Sequence, residues 1–250
     1  MSDILLGQIS EKLTKKSDIN LLFTSDKSDF TTKIYPPLNL EMDKWSLGLA
    51  CLDTYYSFAN INSNNNKFKY SSDNGATWTD VSLPVGCYEI TQINETIKEL
   101  LEDKSSYFEL VPNFITLGSI ITISNEQFKI DFNVDDTIAT VLGFKKDIIL
   151  TTGVNKSPNI VNILEINSIL VNCDIISGSY LNGSNSPVIY SFFPNVQPGG
   201  KIVQEPNTIT FLSVNRDFIE SIRIWLTDQN GKPIDFRGEK ITLRITLKYK

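Results

Sequence analysis

Histidine is absent from this chain of 250 residues. That removes the side chain most used as a general base, a metal ligand and a pH switch near neutrality. Chemistry would have to come from carboxylates, lysines or cysteines. Glu95 and Glu99 stand at i and i+4 and have the spacing of an acid/base pair, but the same spacing makes them neighbours on the wet face of a helix, and they read as solvated surface. Gly199-Gly200-Lys201 invites a phosphate loop, yet it lacks the G-x-x-x-x-G-K-[ST] spacing and no helical pattern follows to offer its N-terminus; it reads as a β-turn. Asp228, Asn230 and Asp235 have oxygen ligands for calcium, but their spacing departs from an EF-hand loop and no helices flank them. They read as turn residues. Cys51, Cys87 and Cys173 are far apart with no C-x-x-C pair, which argues against zinc. Their apolar surroundings (LGLACLD, LPVGCYE, LVNCDII) predict buried, reduced thiols in a cytosolic or nuclear protein. No catalytic, cofactor-binding or metal-ligating residue is assigned, no cofactor is expected, and the chain is read as a non-enzyme.

The elements are easier to read than any site. From Ile241 to Tyr249 the alternation is unbroken, with Ile241, Leu243, Ile245, Leu247 and Tyr249 on one face and Thr242, Arg244, Thr246 and Lys248 on the other. A period of two means a strand with one buried and one wet face. Ile222–Leu226 alternates in the same way, and Asp228-Gln229-Asn230-Gly231 between them carries Asn-Gly, the strongest short hairpin signal. The expectation is a closing hairpin. Arg223, Arg237, Arg244, Lys248 and Lys250 make this region locally basic; they read as a solvated outer face that discourages edge pairing, with an acidic partner or nucleic acid as the alternative. Trp45–Phe58 is long, aromatic and apolar, the pattern of a central strand. Its Trp45, Tyr55, Tyr56 and Phe58 are read as core, since no basic residues interleave them as a base-stacking platform requires.

Composition sets the outer limits. With 41% apolar and 21% charged residues the chain is too apolar for disorder, and a net charge of −6 argues against coating nucleic acid. No apolar run approaches the roughly 20 residues that span a bilayer, no leader pattern opens the sequence, and no membrane partner is expected. The Asn-X-Ser/Thr matches at Asn94, Asn155 and Asn182 are those expected by chance in so Asn-rich a sequence. Residues 1 to about 35 are weakly patterned, with alternating charges, and read as a partly flexible arm, either a clamp on a neighbouring subunit or an ordinary frayed terminus. A single β domain is expected over 36–250, entered at Pro36-Pro37, with a possible internal division at Thr151–Pro158. Two inserted helices are predicted: one over Thr91–Asp103, capped at Thr91, and a short one over Asp136–Leu142, stopped by Gly143. Ile120–Ser124 and Phe128–Phe132 read as a hairpin through Asn125-Glu126. The rest is strands separated by the loops Asn60–Asn66, Ser177–Pro187 and Pro194–Gly200. The fold class is therefore mainly β, an antiparallel sandwich of the jelly-roll kind.

Six segments taken in order look familiar together: WSLGLACLDTYYSFANI, LPVGCYEITQINETIKELL, ITISNEQFKIDF with TIATVLGF, NILEINSILVNCDIISGSYLNG, IYSFFPNVQPGGKI and IWLTDQNGKPIDFRGEKITLRITLK. Over residues 31 to 250 the series resembles penton (vertex, minor capsid) proteins of Polinton/Maverick-type elements, adintoviruses and virophage-like viruses. The resemblance implies a single jelly-roll structural protein of the virion. It implies homo-pentamers at icosahedral vertices beside a larger double jelly-roll major capsid protein, assembled in the host nucleus or cytoplasm. The matching residues are scaffold, so no site carries over, and contact with nucleic acid is expected to be weak or absent. Two alternatives stay open: a compact major capsid protein, and a lectin-like or receptor-binding sandwich that uses the loops Ser177–Pro187 and Asn60–Asn66.

Overall fold

The computed structural model describes residues 17–163 and 166–250. Three strands come first: β1 (Ile19–Ser25), β2 (Asp29–Asn39) and β3 (Trp45–Tyr55). The chain then leaves for a second unit, Phe58–Ile166, and returns at Asn167 to complete the first. The second unit carries β4 (Lys67–Ser71), β5 (Thr79–Ser82), the helix α1 (Ile90–Leu101), β6 (Phe108–Asn113), β7 (Gly118–Ile123), β8 (Lys129–Asp131), β9 (Ile149–Leu150) and β10 (Gly153–Lys156). After the return come β11 (Ile169–Cys173), β12 (Ile176–Ser177), β13 (Tyr180–Leu181), β14 (Ser184–Asn185) and β15 (Val188–Phe192). They are followed by β16 (Lys201–Gln204), β17 (Leu212–Val214), β18 (Phe218–Thr227) and β19 (Ile241–Tyr249).

Strand order in the first unit is that of a jelly roll. One sheet runs β1-β19-β3-β17-β12, with β16 also on β3, and the other runs β15-β11-β18-β2. Successive strands alternate between the two: β1, β3, β16/β17 and β19 in one sheet, β2, β11, β15 and β18 in the other. Each late strand fills a gap between early ones, β19 between β1 and β3 and β18 between β2 and β11. Two antiparallel sheets wrapped in this order form the double Greek key. Alternation supplies the inner faces. Ile219, Ile222, Ile224 and Leu226 are buried on β18, as are Ile241, Leu243, Ile245 and Leu247 on β19, each stabilising by about 1.5–3 kcal/mol on full burial. As expected, β3 is central and almost wholly buried over Trp45–Leu49. Its Gly48 is there for space: a Cβ would strike the Ile209 side chain and the Thr210 carbonyl of the segment crossing over it.

Several expectations need correcting. Ile222–Leu226 and Ile241–Tyr249 do not form a hairpin, because each strand is already paired on both edges within its own sheet. Alternation reports that one face is buried, not which strand lies alongside. The Asn230-Gly231 turn exists, with Gly231 at φ +79°, but inside a loop that carries the chain from one sheet to the other. The arm over 1–35 holds at most for residues before β1; those up to 16 lie outside the described residues. From Ile19 the chain is ladder: β1 pairs along its length with β19, and β2 with β18. The division falls at Ser57/Phe58 and Ile166/Asn167 rather than within Thr151–Pro158, where residues 153–156 are strand β10.

The second unit has its own core. Its sheets run β5-β4-β8-β9 and β10-β7-β6. Ile61, Phe68, Ile93, Ile97, Phe128 and Phe132 are buried among residues of this unit alone, with Phe128 stacked on Tyr70 at 5.6 Å and edge-on to Tyr107 at 5.9 Å. The helix is capped two residues before the expected Thr91, at Glu89, whose N–H donates to Gln92 Oε1 at 2.9 Å. The expected second helix is a single 3-10 turn, Ile138–Thr140. Nor do Ile120–Ser124 and Phe128–Phe132 pair: β7 lies between β6 and β10, whereas β8 lies between β4 and β9. Asn60 clasps the two ends of the unit, its Nδ2 donating to the Tyr88 carbonyl at 2.7 Å and the Ile163 carbonyl at 3.0 Å.

Candidate interaction surface

The residues whose types suggested chemistry are dispersed, and the turn carboxylates and glycines among them are already engaged. Glu95 and Glu99 sit on the exposed face of α1. Gly199 and Gly200 form a turn whose amides donate to the Tyr56 and Gln197 carbonyls, both at 2.8 Å, and Lys201 opens a strand, not a helix. Asp228 is buried, and its Oδ1 accepts the amides of Asn230 at 2.8 Å and Lys232 at 2.9 Å; Asp235 does the same for Arg237 at 2.8 Å. These carboxylates make turns. Among the described residues no cluster of metal-ligating side chains forms.

The basic residues of the C-terminal region are divided between sheets. Arg223 lies on β18, where it grips Asp29 of β2 through two bonds of 2.9 and 2.6 Å and stacks over Trp225 at 4.8 Å. The hydrogen bond from Arg223 holds the Asp29 carboxyl below the usual carboxylate range. Lys248 lies on β19, over Phe211 at 5.3 Å. Trp45, Tyr56 and Phe58 are buried as expected, but Tyr55 is exposed. None of the three cysteines is in a disulfide. Only Cys173 is buried, and burial pushes its thiol up to about 12; Cys51 and Cys87 are half-buried, which corrects the expectation for them.

Two loops with binding potential turn out differently. Asn60–Asn66 is knitted into itself and its unit: Asn65 Oδ1 accepts the Asn62 amide at 2.7 Å, Asn65 Nδ2 reaches the Asn60 carbonyl at 2.9 Å, and Asn66 Nδ2 the Leu83 carbonyl at 2.6 Å. Ser177–Pro187 holds the small ladder β13-β14 and presents Tyr180 to solvent. Asn94, one of the Asn-X-Ser/Thr matches, is also in use, its Oδ1 accepting the Leu110 amide at 2.8 Å.

What the sequence reading passes over is the turn between β6 and β7. Asn113 pairs with Gly118 across it, and Asn113 Oδ1 accepts the amides of Ile115 at 3.2 Å and Thr116 at 3.4 Å. Phe114, Ile115 and Leu117 point outward, 84%, 95% and 63% exposed. Leu117 sits at φ +55°, a conformation that costs on the order of 1 kcal/mol for a non-glycine residue. A second segment braces the turn. The Val161 amide donates to the Leu117 carbonyl at 2.9 Å, the Ser157 amide to the Ser119 carbonyl at 2.9 Å, and the Ser119 amide to Ser157 Oγ at 2.9 Å. The fit is close: a Cβ on Gly118 would strike Ser157 Oγ. That same segment exposes Ile160. Behind the turn lies an apolar groove of about 320 Å³, walled by Ile90, Pro112, Phe114, Leu117, Val161 and Ile163. Helix and hairpin are locked together beside it by Asn94 and by the Lys98–Glu109 ion pair. The available signal was an apolar Phe-Ile pair in a turn bracketed by Pro112-Asn113 and Gly118.

No family model matches the sequence, and no curated protein does. Among solved structures the chain is similar to the penton protein of mavirus, at 12% identity and a TM-score of 0.50, over 94% of this chain and 100% of that one. The flagellar cap protein FliD of Escherichia coli also matches. Its D2–D3 domains do so at 10% identity and a TM-score of 0.22, over 94% of this chain and 100% of that one. Its D1–D3 domains do so at 11% and 0.19, over 100% and 61%; neither score supports an argument. The mavirus likeness is one of fold: this chain has a penton-like, jelly-roll architecture.

Proposed function

We propose that this chain is a structural capsid protein of the virion that forms pentameric vertices of an icosahedral shell. The observation that carries the reading is the jelly-roll strand order, found together with a likeness that spans the whole of a viral penton protein. The six sequence segments support the same role in a virus or element of the Polinton and virophage kind, beside a larger double jelly-roll major capsid protein. The inserted unit favours the vertex role over a compact major capsid protein. Its sheets, β5-β4-β8-β9 and β10-β7-β6, do not repeat the jelly-roll order, so the described residues hold one jelly roll and not two. The function is assembly, not catalysis.

A ring of five requires one patch of each subunit to meet a different patch of the next. Weak contacts suffice, because closure makes the later ones intramolecular. The residues ahead of Ile19 are the segment we assign to clamping a neighbour. Analytical ultracentrifugation tests the reading, with full-length chain against chain lacking residues 1–16, alone and with the major capsid protein. The expected result is a five-chain species for the full chain, weakened by the truncation. Monomers in every mixture at tens of micromolar would replace this reading with that of a β-sandwich binding module.

A further inference from the structure

We infer that the β6–β7 turn is a membrane-touching tip: Phe114, Ile115 and Leu117, with Ile160 beside them, insert shallowly into the surface of a zwitterionic lipid bilayer. Large apolar side chains this exposed are not explained by the unit's own stability, since its core is complete without them. The turn is nonetheless rigid. Val161, Ser157 and Asn113 hold its backbone, and Leu117 is kept in a strained conformation. A rigid frame that holds apolar groups out in water is the mark of a contact surface.

Three observations select lipid over protein. First, charge: Leu110–Asn125 contains no charged residue, and neither does Ser157–Ile163. The charges that border these segments are Glu89 at the groove, Glu109 paired with Lys98, Glu126, and Lys156 on β10, with no cluster of basic residues among them. An anionic surface gains nothing here, and the apolar groups can enter the acyl boundary without dragging a charge out of water. Second, the backbone of the tip is satisfied from within. The Ile115 and Thr116 amides bond to Asn113 and the Leu117 carbonyl to Val161, which removes much of the penalty for burying a turn in lipid. Third, size: the patch amounts to several hundred Å², short of the roughly 800 Å² that each partner of a stable protein pair buries. The contact is interfacial; no helix among the described residues is long and apolar enough to cross a membrane.

The inference does not rest on capsid assembly, and vesicle binding and ring formation are measured separately, so either can fail alone. The test is flotation of the full chain with phosphatidylcholine vesicles, against the double variant Phe114→Ser/Ile115→Ser. Both side chains are exposed, so the melting temperature should stay put. The expected result is that the native chain floats, that the variant's vesicle-bound fraction falls by about tenfold or more, and that neither added anionic lipid nor higher salt changes the outcome. Failure of the native chain to float, or equal flotation of the variant, overturns the proposal. So does flotation that needs anionic lipid and vanishes with salt, which would assign the contact to lysines and arginines. If the variant instead lowers the sedimenting mass in the absence of lipid, the tip is an interface between copies and the membrane reading falls.

Discussion

Asp73 shows how much a turn can depend on one carboxylate. In the loop Ser72–Trp78, which joins β4 to β5, Asp73 accepts Thr77 Oγ1–H at 2.6 Å, the Thr77 amide at 2.9 Å and, from the end of β4, Ser71 Oγ–H at 2.7 Å. These bonds, the Thr77 hydroxyl first, pull its carboxyl from the ordinary 3.8 down to about 2. The folded form thus prefers the ionised group. Its contribution is complete above 3.8 and is lost as pH falls through about 2. Asp73→Asn should remove that part of the acid sensitivity: between those two pH values the native chain's melting temperature should fall further than the variant's. Parallel curves across the window would refute this role. In the sequence, Ser72-Asp73-Asn74-Gly75 signals a turn by composition, and composition does not reveal that the carboxylate organises it. The tip at Phe114–Leu117 was hidden for a related reason. Apolar residues in a strand-rich stretch look like core until the turn geometry turns them outward.

At the scale of the element, the edge strand β1 carries the clearest consequence. It pairs with β19 from Ile19↔Leu247 to Ser25↔Ile241, and Phe23 is buried. Removing residues 1–16 takes away none of these pairs, so the thermal melt by circular dichroism should be unchanged. Removing residues 1–30 strips one edge of β19 and the start of β2. The loss of Phe23 alone is worth about 3–5 kcal/mol on the scale of large-to-small core changes, a large part of the 5–15 kcal/mol that holds a typical domain together. That truncation should lower the melting temperature steeply or prevent folding, and a native-like melt would show that β1 is dispensable. The single elements β3, β18, β19 and α1 were all legible, since unbroken periods of two and of three to four report one buried face. Partnership was not. β18 and β19 carry matching alternation and a hairpin turn signal between them, yet they lie in different sheets, because pairing is decided by which edges remain open elsewhere. The arm was misjudged because edge strands such as β2, half-buried at best, leave only a faint apolar pattern.

For the whole molecule, the decisive feature is that one unit interrupts the other. Phe58–Ile166 has a core made only of its own residues, and Asn60 ties its beginning to its end. Expressed alone, residues 58–166 should fold cooperatively, with dispersed amide resonances and a single melting transition; a disordered fragment would mean that the sandwich is needed to hold it. The interruption also sets a timetable. During synthesis β1 and β3 emerge early, but the strand that joins them, β19, is made only after the residues from Tyr55 to Ile241. At about 5–20 residues per second that wait is roughly 10–40 s. Every contact in the inserted unit is available long before then, so it is the guest that folds first, while the host sheet stands with a vacant place between its first and third strands. For that interval β3, the central strand of its sheet, has an open edge, and the hazard of an unpaired edge belongs to the nascent chain rather than to the finished protein.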